Sequence, residues 1–260
     1  MQRNNLFSLE GKLALVTGGA RGIGRYLATG LAEAGADLIL VSRQQSNLKT
    51  VAAELQDEFG VNVSTQSCDL GDPDSIHAMF SSVSAAHPKI DILVNNAGIA
   101  EFCGTLDYTQ EMWDNTFDVN VRGVWLLTQS WAKLMKTQGG IVINVSSIMG
   151  FRGSGEEHNV IAYNPSKAAI INLTQTLAVK FAPYNIRVNC IAPGYFPTDM
   201  MSFLEGEEMQ PVKQMVINQI PLGRAGELDD MRGVVVFLAS EASRFITGHT
   251  LVVDGGKTAY

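Results

Sequence analysis

Short runs of aliphatic and β-branched residues alternate along the chain with longer amphipathic stretches. Several short runs are apolar at every position, which is typical of strands in a sheet covered on both faces. The predicted strands are Leu13–Thr17, Leu38–Val41, Asn62–Ser67, Ile90–Val94, Ile141–Val145, Ile186–Ile191 and Leu251–Val253. The predicted helices are Ile23–Ala34, Ser46–Phe59, Pro73–Ala86, Trp113–Lys136, Ala162–Ala182 and Glu227–Ser240. This alternation predicts an α/β fold: a doubly wound, parallel, seven-stranded sheet with helices on both faces.

No internal repeat, low-complexity tract or linker divides the 260 residues, so we predict a single domain over 1–260. Residues 197–221, which are rich in Met and Glu, interrupt the alternation between a strand and a helix. Insertions at the carboxyl end of a strand in such folds often cover a ligand crevice. We therefore predict a helical substrate lid there; an ordinary surface helical hairpin is the alternative.

Composition excludes several classes of protein. With 46% hydrophobic and 17% charged residues the chain is globular rather than disordered. The balance of 19 basic and 26 acidic residues, without a basic block, gives no reason to expect nucleic acid as a partner. No signal peptide or membrane-length apolar run is present, so no membrane partner is expected. The three cysteines and four histidines share no ligand spacing, which favours a reduced, cytoplasmic protein without a bound metal.

The first predicted strand runs into a glycine-rich turn and then into a helix. Gly18 allows the tight turn, Gly22 lets the backbone approach a pyrophosphate, and Gly24 lets the helix pack closely on the strand. The helix that begins near Ile23 offers free N–H groups and the positive end of its dipole to an anion. The pattern predicts a dinucleotide site, and a structural turn is the alternative.

The end of the second strand indicates which dinucleotide binds. A site for NAD usually places an acid there to accept from the ribose 2′-hydroxyl, whereas this chain has Ser42 followed by Arg43. Arg21 lies in the phosphate loop itself. Two guanidinium groups converging on a 2′-phosphate favour NADP(H). The alternative is that both arginines are solvated surface residues.

Tyr163 and Lys167 are four residues apart and therefore share one helix face. An ammonium at ~4 Å and an effective dielectric constant of ~20 is worth about 4 kcal/mol, or roughly three pKa units. Such a lysine could bring the phenol near its working range as a general acid or base. In isolation, however, the same spacing describes an ordinary surface pair.

Several further motifs accompany this pair in a fixed order along the chain. They are Thr17–Gly24, Asn95–Gly98, Asn120, Ser147, Tyr163, Lys167 and Pro193–Gly194. In this order they resemble the short-chain dehydrogenase/reductase family, which has the Rossmann fold, and the resemblance extends from about Leu9 to Gly256. It implies hydride transfer between NADP(H) and a secondary alcohol or ketone.

The resemblance implies catalytic roles for four residues. Tyr163 would be the general acid and base, and Lys167 would lower its pKa and bind the nicotinamide ribose. Ser147 would hydrogen-bond the substrate oxygen, with the adjacent Ser146 as the alternative. Asn120 would hold a water that links Lys167 to bulk solvent.

The resemblance also implies the remaining cofactor contacts. Asp69 would contact the adenine amino group, Asn95 would help to hold a ribose, and Thr198 would reach the nicotinamide carboxamide. The other positions implied at the cofactor are Leu70, Ala97, Gly98, Pro193 and Gly194.

The loops above the strand ends carry the candidate substrate residues. These are Glu101, Phe102, Met149, Phe151, Tyr195 and Phe196, with Glu156 and Glu157 adding negative charge. Each could equally be a packing or solvated residue.

The nearest branches of the family resemble gluconate 5-dehydrogenases or polyol dehydrogenases and 3-oxoacyl-carrier-protein reductases. Glu101 disfavours a sugar acid, and the net charge of −7 disfavours an acidic carrier. A neutral ketone, ketose or polyol is therefore the favoured small-molecule substrate. A catalytically silent NADP-binding regulator is the alternative that is not an enzyme. Family analogy also implies a homotetramer, formed through the helices predicted at Trp113–Lys136 and Ala162–Ala182.

Overall fold

A computed structural model describes residues 5–155, 159–198 and 206–259. Seven parallel strands form one sheet in the order β3-β2-β1-β4-β5-β6-β7. Their bounds are β1 Leu13–Thr17, β2 Asp37–Ser42, β3 Val63–Ser67, β4 Ile92–Asn95, β5 Gly140–Val145, β6 Ile186–Pro193 and β7 Thr250–Val253. The order reverses between β1 and β4, where Val16 pairs with Val94, and folds of this kind bind ligands at such a switch point.

Eight α-helices connect the strands of the described chain. They are α1 Gly22–Glu33, α2 Gln45–Phe59, α3 Pro73–Ala86, α4 Gln110–Phe117, α5 Val124–Met135, α6 Tyr163–Phe181, α7 Gln210–Asn218 and α8 Arg232–Ala239. Each predicted strand is present, and the helix predicted at Pro73–Ala86 has those bounds. Two predicted helices differ. The stretch around Trp113–Lys136 begins at Gln110 and contains a π-helix, Asp118–Gly123, between α4 and α5. The stretch Glu227–Ser240 begins instead with a 3₁₀ turn, Leu228–Met231.

Both faces of the sheet are buried. One face packs against α1, α2 and α8, with Leu27, Leu31 and Val235 among its fully buried residues. The other face packs against α3, α5 and α6 around Trp131, whose Nε1 donates to the carbonyl oxygen of Ile90 at 2.8 Å. This burial explains the continuously apolar strands. It also fixes all seven carboxyl ends at one edge, where the loops meet.

Part of the predicted lid lies within the described residues. Of 197–221, positions 199–205 lie outside them, and α7 occupies much of the remainder. At the base of α7, Ile220 packs with Tyr195, which follows β6. Within the described ranges, no helix has the length and apolar composition needed to cross a membrane.

Candidate active site

The turn between β1 and α1 leaves its backbone open to a ligand. Gly18 and Gly22 have φ angles of +68° and +53°, which side-chain-bearing residues rarely adopt. A Cβ at Gly24 would collide with the carbonyl oxygen of Gly18. Arg21 caps α1 in an extended conformation without a side-chain cap, so the first N–H groups of the helix, from Ile23 onward, keep their capacity to bind an anion. The cradle fits a pyrophosphate.

Thr17 and Asn96 fix this loop from within. The Thr17 hydroxyl donates to the carbonyl oxygen of Val94 at 3.3 Å and accepts from the N–H groups of Asn96 and Ala97 at 3.0 and 3.1 Å. The Asn96 side-chain amide donates to the carbonyl oxygen of Thr17 at 2.9 Å. The ends of β1 and β4 are thus bound to each other. Sequence reasoning gave Asn96 no role; the polar residue at each strand end was the available signal.

The candidate 2′-phosphate residues lie next to this loop. Ser42 ends β2, and the side chains of Arg43 and Arg21 are exposed. A Cβ at Gly22 would be 3.4 Å from the methyl group of Thr198, so Thr198 lies against the phosphate turn. The end of β2 reaches the same turn, because the N–H of Gly18 donates to the carbonyl oxygen of Val41 at 2.7 Å.

The candidate adenine residues follow β3. The Asp69 carboxylate is exposed and accepts from the N–H of Gly71 at 2.9 Å, which fixes its direction. Leu70 is buried, and its carbonyl oxygen lies where a Cβ at Gly123 would be. The Asp69 carboxylate is therefore exposed, whereas the Leu70 side chain packs inward.

The structure corrects the role given to Asn95. Its side chain is 2% exposed, and its amide donates to Thr128 Oγ1 and Asn144 Oδ1, both at 2.9 Å. Asn144 in turn donates to Thr174 Oγ1 at 2.9 Å. Side chains of a strand alternate between the two faces of the sheet, and this alternation directs the Asn95 side chain into the network between β4, β5 and the helices behind them. The Asn95 side chain therefore does not face the cofactor.

Ser147 and Tyr163 face each other at the carboxyl end of β5. Ser147 Oγ accepts from the N–H of Met149 at 3.1 Å, and Tyr163 is the first residue of α6. Burial raises the pKa of Tyr163, and the neighbouring Ser147 hydroxyl offsets part of the rise. Ser146 points the other way and donates to the carbonyl oxygen of Lys167 at 2.7 Å. Of the two serines, Ser147 is therefore the one whose hydroxyl group lies at the Tyr163 side chain.

Lys167 is buried and lies on α6, one helical turn after Tyr163. Its side-chain nitrogen donates to the carbonyl oxygen of Val145 at 3.0 Å and lies 5.5 Å from the centroid of the Tyr163 ring. Burial lowers the pKa of Lys167 from 10.5 to about 8. The sequence predicted that Lys167 would lower the pKa of Tyr163; in the protein alone that pKa is raised, because desolvation of the phenolate outweighs the other effects.

Asn120 lies in the π-helix and is 1% exposed. Its Oδ1 accepts from the N–H of Ile99 at 2.8 Å, and its Nδ2 donates to the carbonyl oxygen of Ile99 and to Ser166 Oγ at 2.9 and 3.0 Å. A Cβ at Gly98 would meet both Asn120 Oδ1, at 3.1 Å, and the Lys167 ammonium, at 3.2 Å. Gly98 therefore lets the amide and the ammonium approach each other.

Pro193 and Gly194 bring the end of β6 against the end of β7. The N–H of Gly194 donates to the carbonyl oxygen of Val253 at 2.9 Å. A Cβ at Gly194 would be 2.6 Å from the Cβ of Asp254. The two predicted cofactor positions thus form a tight junction beside the crevice.

Two of the six candidate substrate residues are packing residues. Phe196 is 4% exposed and belongs to the core formed with α1 and α8, because the chain turns inward after β6. Tyr195 is 8% exposed and packs under α7. Of the others, Met149 is partly exposed, Phe102 and Phe151 are about half exposed, and the Glu101 carboxylate accepts from the Asn115 amide. Glu156 and Glu157 lie outside the described residues.

Comparisons with known proteins give the relatives of this chain. A family profile described as Enoyl-(Acyl carrier protein) reductase matches residues 18–258. The 3-oxoacyl-(acyl-carrier-protein) reductase FabG of Aquifex aeolicus is 39% identical over 249 residues, which are 95% of this chain and 98% of the relative. The 2-dehydro-3-deoxy-D-gluconate 5-dehydrogenase of Pseudoalteromonas atlantica is 40% identical over 254 residues, 96% of this chain and 97% of the relative.

Solved structures agree with these relatives. A gluconate 5-dehydrogenase from Burkholderia cenocepacia, in complex with NADP and tartrate, superposes with a TM-score of 0.91 at 34% identity, covering 98% of each chain. A short-chain type dehydrogenase/reductase from Mycobacterium marinum superposes at 0.90 with 36% identity and the same coverage. The chain belongs to the short-chain dehydrogenase/reductase family and is an oxidoreductase.

Proposed function

We propose that this protein interconverts a secondary alcohol and a ketone with NADP(H), using Tyr163 as general acid and base. The observation that carries the proposal is the convergence of Ser147, Tyr163 and the buried Lys167 at the strand edge that also holds the phosphate loop. Relatives named as dehydrogenases and reductases, and neighbours solved with NADP, support it.

Ser147 and Tyr163 would have different roles in the proton chemistry. Ser147 Oγ already accepts from Met149, so its own proton is available to hydrogen-bond a substrate oxygen and orient it. The raised pKa keeps Tyr163 protonated at neutral pH, which suits donation of its proton to that oxygen during reduction. NADPH supplies the hydride when it is bound.

Lys167 and Asn120 would support the proton donor. One ammonium proton of Lys167 goes to Val145, and the others are available to ribose hydroxyls. The positive charge stabilises the phenolate that forms when Tyr163 gives up its proton. We assign Asn120 to hold a water that links Lys167 to solvent, since both groups border Gly98.

The choice between the two serines gives the sharpest test of the reaction. Ser147→Ala should lower kcat for NADPH-dependent ketone reduction by about 10²–10³, as removal of one donor to a developing oxyanion does. Ser146→Ala is the matched control; it loses a bond to the Lys167 carbonyl and should cost stability, about 1 kcal/mol, more than turnover. Equal turnover in the two variants would contradict the proposed role of Ser147. Absence of turnover by the wild type on a panel of ketones would favour the catalytically silent regulator.

NADP(H) is proposed over NAD(H) because Arg21 and Arg43 border the loop and Ser42 replaces an acid. Arg43→Asp should shift the ratio of kcat/KM for NADPH and NADH strongly toward NADH. Lys49→Asp, an exposed charge change on α2, is the control for general electrostatics and should leave the ratio unchanged. A ratio that stays the same in Arg43→Asp would overturn the assignment.

Two observations favour different substrate classes, one neutral and one acidic. Glu101 favours a neutral ketone, ketose or polyol, but its carboxylate is engaged by Asn115. Relatives named for 2-dehydro-3-deoxy-D-gluconate and for acyl carrier protein favour an acidic substrate. In either case we propose that the chain forms a single domain. Within it, α7 and its flanking residues would form the lid over the substrate.

We also propose that the protein is a homotetramer located in the cytoplasm. Val179 on α6 is 77% exposed, and an apolar side chain at that position is suited to burial between subunits. Light scattering of the wild type should give the mass of four chains, and Val179→Glu should reduce it. A monomeric wild type would contradict the proposed assembly.

A further inference from the structure

A buried glycine lies inside the long helical stretch that connects β4 and β5. Gly123 ends the π-helix Asp118–Gly123, between α4 and α5. A glycine within a helix is unfavourable relative to alanine, because its backbone loses more freedom on folding. A π-helix is itself rare and is found mostly at functional sites. Both features require contacts that compensate for them.

The contact that Gly123 permits is with the turn after β3. A Cβ at Gly123 would collide with the carbonyl oxygen of Leu70 and would lie 3.2 Å from the carbonyl oxygen of Asp118. Both neighbours are backbone atoms, which cannot rotate away as the end of a flexible side chain can. A side chain at this position would therefore displace either the turn or the π-helix.

Two further contacts hold the same turn against the π-helix. Val119, four residues before Gly123, is buried, and its Cγ2 would lie 3.3 Å from a Cβ at Gly71. Arg122 Nη2 donates to the carbonyl oxygen of Gly71 at 3.4 Å and forms an ion pair with Asp118 Oδ2 at 2.7 Å. The π-helix is thus fixed on this turn at several points along its length.

Asn120 connects the same π-helix to the proposed proton donor. Its side-chain amide is bonded to the backbone of Ile99 and to Ser166 Oγ. The Ser166 hydroxyl in turn donates to the carbonyl oxygen of Tyr163 at 2.7 Å, in the first turn of α6. Hydrogen bonds weaken steeply as their geometry departs from the optimum. A shift of the π-helix would therefore change the position of Asn120 relative to Tyr163 and Lys167.

We propose that Gly123 is a positioning residue for the reaction: by admitting the Leu70 carbonyl, it fixes the π-helix where Asn120 lies beside Lys167. Arg122 supports the same arrangement through the Gly71 carbonyl. Both residues act through Asn120. The proposal rests on the proposed function, because the part of Asn120 in proton transfer is assigned there.

A double-mutant cycle with Asn120 tests the proposal in the full-length protein. Gly123→Ala should lower kcat for NADPH-dependent ketone reduction by about ten- to a hundredfold, as a small displacement of a catalytic group does. In the Asn120→Ala background the same substitution should lower kcat by less than about twofold, because the group that it displaces is gone. Equal factors in the two backgrounds would overturn the proposal, since Gly123 would then act independently of Asn120.

The split between kcat and cofactor affinity gives a second readout, which decides the matter if Asn120→Ala turns over too slowly for the cycle. The NADPH dissociation constant of Gly123→Ala, measured by fluorescence titration, should change less than kcat does. Weaker NADPH binding with an unchanged kcat would overturn the proposal, because the turn after β3 would have shifted and not the π-helix. Gly233→Ala adds a methyl group in α8, where no atom lies within 4 Å, and should alter neither value.

Arg122→Ala tests the same contacts if Gly123→Ala does not fold, as judged by circular dichroism. It removes the bond to Gly71 and the ion pair with Asp118 without adding an atom to the helix. We expect kcat to fall by about two- to fivefold, the range for a partly exposed ion pair, and this fall to be absent in Asn120→Ala. A fall of the same size in both backgrounds, or no fall in either, would overturn the proposal.

Failure of this proposal is distinguishable from failure of the proposed function. A wild type that reduces ketones, together with an Asn120→Ala variant that keeps its full kcat, would overturn the positioning role alone. Absence of turnover by the wild type with NADPH on a panel of ketones would instead overturn the proposed function.

Discussion

At the phosphate end of the crevice, internal hydrogen bonds fix the backbone groups that would meet the ligand. Thr17 and Asn96 tie β1 to β4, and Gly24 has no room for a side chain. At the proposed substrate end, exposed side chains such as Phe151 and Arg152 lie on turns beyond β5. The first region presents main-chain donors and the second presents side chains.

This difference shows how one fold serves many substrates. A pyrophosphate is the same in every dinucleotide, so its site can be made of backbone that tolerates few changes. A substrate site that must differ between relatives is made of side chains on turns, which can change without disturbing the sheet. The proposed catalytic residues Ser147 and Tyr163 lie at the end of β5 and at the start of α6.

The largest expected effect falls at these proposed catalytic residues. Lys167→Met removes the buried charge beside Tyr163 and should lower kcat by about 10²–10⁴, the range for loss of acid–base assistance. Steady-state kinetics with NADPH and a reducible ketone measure it. Turnover within a factor of about ten of the wild type would show that Lys167 is only a buried structural residue.

The charge of Lys167 should also set the alkaline limit of the reaction. Because its pKa is lowered to about 8, the ammonium is present below that pH and is lost as the pH rises through it. We expect kcat/KM for reduction to fall about tenfold per pH unit above this point. Lys167→Arg stays charged, so its residual activity should lack this decline. A decline at the same pH in Lys167→Arg would assign the titration to another group.

A matched pair of helix glycines tests the phosphate end. Gly24→Ala would push against the Gly18 carbonyl and the Asn96 amide and should weaken NADPH binding by about ten- to a hundredfold, through loss of hydrogen bonds to a charged group. Gly233→Ala, in α8, meets no atom within 4 Å and should leave binding unchanged. Fluorescence titration with NADPH compares them; equal affinities would contradict the close-packed loop.

The smallest expected effect lies at the opposite edge of the sheet. Asp91 is buried, which alone would raise its pKa, but a hydrogen bond from Lys89 at 2.7 Å, one from the N–H of Leu13 at 3.2 Å and the charge of Lys12 lower it below 3.8. Its stabilisation is therefore present above that pH and is lost as the pH falls through the lowered value.

Asp91→Asn should cost about 1–3 kcal/mol of unfolding free energy at neutral pH. Urea unfolding at a series of pH values should show this difference shrinking in acid. A difference that stays constant with pH would exclude the charge as its source. NADPH affinity and kcat should not change in this variant, since both regions compared above lie at the other edge.

Regular elements could be predicted from the sequence because their apolar periodicity reflects burial on two faces. The strand Leu13–Thr17 has its predicted bounds. The π-helix at Asp118–Gly123 could not be predicted, because its apolar pattern continues that of α4 and α5. Its Asn120 side chain bonds to the backbone of Ile99, a contact made only when distant segments meet.

Side-chain roles at the site were predictable to different degrees. Gly18 and Gly22 could be predicted, since positive φ angles restrict a position to few residue types. Asn95 and Asn96 are adjacent and chemically identical, so composition could not tell which side chain faces the sheet interior. Phe196 follows a strand as a pocket residue would, yet it packs in the core, because an apolar side chain suits either place.

The central claim is that Tyr163 gives and takes the proton of the reaction. Tyr163→Phe removes only the phenolic oxygen and leaves the ring beneath which Lys167 lies. Turnover with NADPH and NADPH dissociation constants are measured together in the wild type and the variant. The account predicts turnover lower by about 10²–10⁴ with unchanged NADPH affinity; turnover close to that of the wild type would contradict it.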